Sequence, residues 1–292
     1  MTEYKSNDED NRNKLYNQLI TDYYPDSNFS TFLQFYNSIE NIDAILKIHL
    51  IESIKHRIGT IQFFEKELID QIERAVKEKS ESEKQGFGSR NEATILLIRF
   101  ETFLNSIYSL CDNIAYLGQQ IHPGIKRGFN EQLKNYQRHL DLYSQYEDYL
   151  NIIKSCDWYE DLHTMRSEST HYLPGFVYHP NNGKLGILYR NIVVSKKRIE
   201  IEDISEYIHK IVKQVYKFLD NFGEYMVNKY LTDKSETAFF CMIQKTEPDG
   251  KVIFMPALRM VTYDEYKEKE VGRCVDKEVP CPNKEFCPAY KF

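Results

Sequence analysis

The sequence predicts a mainly α-helical protein, a long antiparallel bundle that carries a small antiparallel β-hairpin insertion and a C-terminal β appendage. Three observations predict it. Apolar residues recur at three- and four-residue steps through several long stretches, the period of an amphipathic helix. Capping-box pairs mark three helix starts: Ser89 with Glu92, Asp157 with Glu160 and Asp203 with Glu206. Asn182-Gly183 and Pro248-Asp249-Gly250 each lie between short extended runs, the pattern of a hairpin turn. The helical body is expected over residues 1–232 with the insertion at about 176–201, and the appendage over 233–292.

Taken in order, residues 1 to about 11 are polar and expected to be disordered, with a short helix before Pro25. Phe32, Phe35, Tyr36, Ile39, Ile42, Leu46 and Leu50 predict one long helix from about Asn28 to Ile58. Gly59 permits a bend, after which Ile61, Phe64, Leu68 and Ile72 continue the stripe. The charged run that follows alternates in sign, as a solvated helix end does. Leu96, Phe100, Phe103, Ile107, Leu110, Ile114 and Leu117 form the apolar face of a strongly hydrophobic helix, with Cys111 beside it as an inert buried thiol. His122-Pro123-Gly124 breaks the chain, and a further helix carrying Phe129, Leu133, Tyr136, Leu140 and Tyr143 is expected to run toward Ser155. Beyond the insertion, Ile204, Ile208, Ile211, Val215, Phe218, Phe222 and Tyr225 define the last bundle helix. The second hairpin could pair with the first in one small sheet.

Composition narrows the function. With 292 residues, 41% of them apolar, the chain can bury a large core, and its 22 Tyr and 17 Phe are expected mainly as core fillers. A net charge of −6 gives the whole molecule no attraction for nucleic acid, so any RNA contact must come from a local patch. No run approaches the ~18 apolar residues of a membrane span. The acidic, polar N-terminus does not read as a signal peptide, and a cytoplasmic protein with no membrane partner is expected. Six cysteines are too sparse for a disulfide framework. Cys241, Cys274, Cys281 and Cys287 could together offer four thiolates to zinc. They include no Cys-x2-Cys knuckle, so free thiols are expected.

The stretch that carries chemistry is Asp157 to Gly175, a helix with a capped start and a Pro174-Gly175 stop. Trp158, Leu162 and Met165 face the core; Arg166 sits at the edge of that stripe and His171 in the last turn. Arg166 and His171, five positions apart and followed by Tyr172, resemble the Arg-x4-His signature of HEPN-domain ribonucleases. Ser167 stands where that family usually carries Asn, Asp or His. The resemblance covers the helical body. It implies a HEPN-like bundle, a homodimer and cleavage of RNA without a metal or other cofactor, at a site holding Arg166, His171 and Ser167. It also suggests a place in phage defence or a toxin–antitoxin pair, with an antitoxin or defence protein as partner.

Such a pair suits attack by the RNA's own 2′-hydroxyl. A histidine titrates near neutrality and moves protons, and an arginine holds phosphate by two parallel hydrogen bonds. The last helical turn favours imidazolium, so His171 leans toward the acid role. A five-residue step leaves the two side chains about 140° apart around one straight helix. Either the turn at His171 is irregular, or two copies of the helix meet across a twofold axis, the arrangement the resemblance implies.

A second feature points to an anionic ligand. From Ser169 to Ile199 there is no Asp or Glu, yet Lys184, Arg190, Lys196, Lys197 and Arg198 are present, with Tyr172, Tyr178 and Tyr189 as candidate stacking residues for RNA. Three other readings compete. The arginine could be a surface residue paired to an acid such as Glu168, or the chain a non-catalytic HEPN-like dimer that binds a nucleotide or a partner protein. A carboxylate-bridged metal bundle would need two Glu-x-x-His pairs, and only Glu206-x-x-His209 is present.

Overall fold

The computed structural model describes residues 27–39, 43–86, 88–138, 144–171, 173–180, 184–190, 198–246 and 252–267. It is mainly helical, as expected. α1 (Asn28–Phe35) leads through a 3-10 turn (Tyr36–Ser38) to α2 (Ala44–Gln85), α3 (Asn91–Ile121) and α4 (Phe129–Arg138). A second 3-10 turn (Ser144–Tyr146) precedes α5 (Glu147–Lys154) and α6 (Tyr159–His171). Strands β1 (Phe176–Tyr178), β2 (Gly186–Arg190) and β3 (Arg198–Ile201) then separate α6 from α7 (Ile204–Tyr230). β4 (Glu236–Thr246), β5 (Val252–Thr262) and the short α8 (Tyr263–Lys267) follow.

α2 and α3 form the antiparallel spine. Asn113 donates to Ser53 at 2.7 Å, Arg99 meets Glu67 at 2.8 Å, and Gln71 donates to Glu92 at 2.6 Å, so partners on α3 advance as those on α2 recede. α7 closes the bundle against α1, where Phe222 meets Phe32 edge-on at 5.7 Å. α6 lies along α3, and it is this pairing that places Arg166. The apolar stripes read from the sequence are the core: Leu96, Phe100, Phe103, Ile107, Leu110, Ile114 and Leu117 on α3 are buried, as are Ile204, Ile208, Ile211, Val215, Phe218 and Phe222 on α7.

Several boundaries differ from expectation, each for a physical reason. The long helix predicted from Asn28 is interrupted after Phe35, and α2 starts afresh with Asp43 accepting from the Leu46 amide at 2.9 Å. The buried Lys47 ammonium ties the interruption down by donating to the carbonyls of Asn37 and Ile39. Conversely, α2 runs straight through Gly59 for 42 residues, so that glycine breaks nothing. The helix expected from Phe129 toward Ser155 is two helices, α4 and α5; Leu140 and Tyr143 lie outside the described residues. Ser89 does not cap α3 by itself. Its hydroxyl donates to the Glu78 carboxylate, which reaches over from α2 and also accepts from the Asn91 and Glu92 amides at 3.2 and 2.9 Å. Asp203 does cap α7, accepting from the Glu206 amide at 3.1 Å.

The insertion is a three-stranded antiparallel sheet in the order β1-β2-β3, with Ile187, Tyr189, Ile199 and Ile201 turned into the bundle. The second hairpin does not join it, because β4 and β5 pair only with each other. The appendage instead docks on the end of α1: Thr237 donates to the Gln34 carbonyl at 2.6 Å, and the rings of Tyr263 and Tyr266 meet Phe35 at 5.4 and 5.3 Å. No helix among the described residues is long and apolar enough to cross a membrane.

Candidate functional site

α6 presents two stripes. Tyr159, Leu162, Met165 and Glu168 are buried and face the core. Tyr159, His163 and Arg166 lie along the neighbouring stripe, at steps of four and three, so they line up on one side of the helix. That side faces Tyr108 of α3. The Arg166 guanidinium carbon lies 4.7 Å from the Tyr108 ring centre, within cation–π range, and the His163 ring lies 5.9 Å from the same ring. Tyr159 stacks on Tyr108 at 5.7 Å with 22° between planes, completing an aromatic floor under both side chains.

Two further helices close the cluster. Asp112, one turn beyond Tyr108 on α3, accepts from the Phe129 amide at 3.0 Å at the start of α4. Asn130, the next residue, places its amide nitrogen 3.1 Å from Nε2 of His163. Burial raises the Asp112 carboxyl above its usual range, with the Phe129 amide, Arg166 and His163 pulling the other way. Burial also lowers His163, assisted by the cations of Lys134 and Arg166 and opposed by Asp112 and Glu160. A histidine so held is neutral at neutral pH. Arg166 is half-buried, and its Nε, shielded from solvent, has no hydrogen-bond partner among the described residues.

The remaining site candidates are dispersed. Ser167 is half-buried next to Arg166 and one turn on from His163. His171 is exposed at the C-terminal end of α6, five residues and about 7.5 Å of helical rise beyond Arg166. Within one chain it does not share the aromatic floor. Glu168 is 2% exposed on the core-facing stripe and does not pair with Arg166, because it points to a different side of the helix.

The cationic segment of the insertion is partly neutralised by acids just beyond it. Lys184 bridges Asp203 at 2.6 Å and Arg198 bridges Glu200 at 2.6 Å; Arg190 is exposed at the end of the central strand β2, in register with Arg198. Tyr189 is buried in the sheet and so is unavailable for stacking, and Tyr178 donates to Glu200 at 2.8 Å. Tyr172, Lys196 and Lys197 lie outside the described residues.

Among the described residues no group of three or more His, Cys, Asp or Glu is arranged to hold a metal ion. His209 instead approaches Glu65 of α2 at 3.6 Å. Cys111 and Cys156 are free and buried, and burial pushes the Cys156 thiol up to about 12. Cys241 is on β4 with its side chain undescribed, and Cys274, Cys281 and Cys287 lie outside the described residues. The members of the cluster that the motif does not name are His163, Asp112, Asn130 and Tyr108. His163 carried a sequence signal, its three-residue step to Arg166; the others come from helices whose packing no local pattern announces.

No protein-family model, curated protein or solved structure matches this chain.

Proposed function

We propose that the chain is a metal-independent endoribonuclease of the Arg-x4-His kind, working as a homodimer in which Arg166 binds the scissile phosphate. One observation carries the reading: the Arg166 guanidinium is held half-exposed on an aromatic floor, beside a neutral histidine, at the rim of a helical bundle. The 2′-hydroxyl loses its proton to a base and its oxygen attacks phosphorus. The bond to the 5′-oxygen then breaks, and that oxygen takes a proton from an acid. The products are a 2′,3′-cyclic phosphate and a 5′-hydroxyl. Arg166 spreads the extra negative charge of the five-coordinate phosphate over two hydrogen bonds. His171 of the partner subunit supplies the acid.

Cleavage of RNA in EDTA, with matching DNA as control, tests this. Arg166→Ala and His171→Ala are each expected to abolish cutting while leaving the dimer intact. Mixing the two inactive proteins should return about a quarter of wild-type activity, since half of the dimers are mixed and one of their two sites is complete. Inactive wild-type protein, or a variant that cuts normally, refutes the proposal.

A second reading is favoured by the ion pairs at Lys184 and Arg198 and by the burial of Tyr189, which together weaken the insertion as an RNA track. On it, the same helical dimer binds a nucleotide or a partner protein at Arg166 without cleaving RNA.

A further inference from the structure

Beyond the motif pair, we infer that His163 is a third member of the reacting group and the base that takes the proton from the 2′-hydroxyl. This rests on the ribonuclease reading above and adds to it a residue that the Arg-x4-His pattern does not contain. Geometry assigns the role. His163 and Arg166 lie three positions apart on one side of α6 and share the Tyr108 ring, at 5.9 and 4.7 Å, so a phosphate held by Arg166 sits beside the imidazole. His171 is eight residues farther along than His163, about 12 Å of helical rise. The two histidines of one chain therefore cannot flank one phosphate. Base and cation come from one protomer, and the acid from the other.

The surroundings suit a base. The Asn130 amide meets Nε2 of the ring from α4; turned so that its oxygen accepts the Nε2–H, it orients the imidazole and leaves Nδ1 to take the proton. The charged and titratable groups facing His163 are Tyr108 and Asp112 from α3, Lys134 from α4, and Tyr159, Glu160 and Arg166 from its own helix. Burial with Lys134 and Arg166 outweighs the two carboxylates, so the imidazole is unprotonated and ready to accept at neutral pH. After the proton has moved, the new imidazolium is stabilised by Asp112 within the same cluster. The proton is then returned to solvent, and the acid is recharged independently on the other protomer.

The experiment uses the full-length protein and a defined RNA in EDTA. His163→Ala is expected to lose on the order of 10²–10⁴ in kcat, the usual share of a positioned base, and to regain part of it with added imidazole. Lys134→Gln, an exposed position outside the chemistry, should move the acid limb of the kcat/KM profile to higher pH, because it removes a cation that holds protons off His163. Mixtures locate the residue. His163→Ala with Arg166→Ala stays inactive, since both losses fall in the same half-site, whereas His163→Ala with His171→Ala recovers activity.

Wild-type cutting by His163→Ala, or an unmoved acid limb in Lys134→Gln, overturns the inference. In either event, loss of cutting in Arg166→Ala would still uphold the ribonuclease reading. Normal cutting by Arg166→Ala would remove both. Because Lys134→Gln leaves the cluster's packing in place, the pH profile decides the matter even if His163→Ala fails to fold.

Discussion

Acid should weaken this fold most through a histidine buried at the end of α3. His122 ends α3 at the break the sequence marks with His122-Pro123-Gly124, and it is 4% exposed. Its Nε2 is 2.7 Å from the Tyr225 hydroxyl, and the rings of Tyr146, Tyr149, Tyr225 and Tyr230 surround it at 4.7 to 6.4 Å. Two effects compete. A helix C-terminus favours imidazolium by at most ~2 kcal/mol. Desolvation inside the tyrosine cage, with the Lys229 ammonium nearby, works against it and wins, lowering the group from 6.5 to about 4. Above pH 6.5 the ring is neutral in folded and unfolded chains alike, so it adds no pH dependence. Below 6.5 the unfolded chain binds a proton that the folded chain refuses, and stability falls as pH decreases until about pH 4, where the folded ring also charges. The full loss is about 3 kcal/mol, of which about 2 kcal/mol has gone by pH 5. Urea unfolding at pH 7.5 and pH 5.0, for wild type and His122→Gln, isolates this from other histidines. Wild type should lose about 2 kcal/mol more than the variant between the two pH values. Equal losses would refute the burial argument.

Two predictions concern how the bundle is held. Gly223 on α7 lets α1 cross at close range, and a Cβ there would lie 2.2 Å from the Phe29 amide nitrogen and 2.3 Å from its Cα. Gly223→Ala gains about 1 kcal/mol of helix propensity but must push backbone aside, an overpacking cost of roughly 1–3 kcal/mol or more. A lower thermal midpoint is expected, and an unchanged or higher one would show that α1 is not packed there. Glu78→Ala removes the carboxylate that serves Ser89, Asn91 and Glu92, and should cost about 1–2 kcal/mol in denaturant unfolding. The same carboxyl is held below the usual range, chiefly by the Ser89 hydroxyl, and a variant as stable as wild type would mean that Ser89 suffices as a cap.

What the sequence makes legible here is periodicity and local caps. The stripes on α3 and α7 are long enough that burial follows from spacing alone, and Asp203 caps α7 because a capping box is complete within four residues. Where an outcome depends on a group from another helix, the local pattern misleads. Ser89 and Glu92 have the letters of a capping box, yet Glu78 from α2 brings a charged acceptor that outcompetes a serine hydroxyl for the same amides. Lys47 likewise ends a helix that its apolar neighbours would continue, by donating to carbonyls that the interruption leaves open.

The same distinction explains the candidate site. Arg166 and His171 stand out because a family pattern joins them, but that pattern is a statement about letters five apart, and on a helix those letters point about 140° apart. His163 is less conspicuous in the sequence and closer in space, since three residues bring side chains to one face. The sequence alone could not choose between the two histidines, because the choice depends on Tyr108, Asp112 and Asn130, contributed by α3 and α4. Those helices give Arg166 an aromatic floor and His163 an orienting amide on the same side of α6, and leave His171 exposed at the helix end. A site that uses both histidines on one phosphate must therefore take them from different copies of the chain. For that reason the recovery of activity on mixing His163→Ala with His171→Ala bears on the dimer and on the base together.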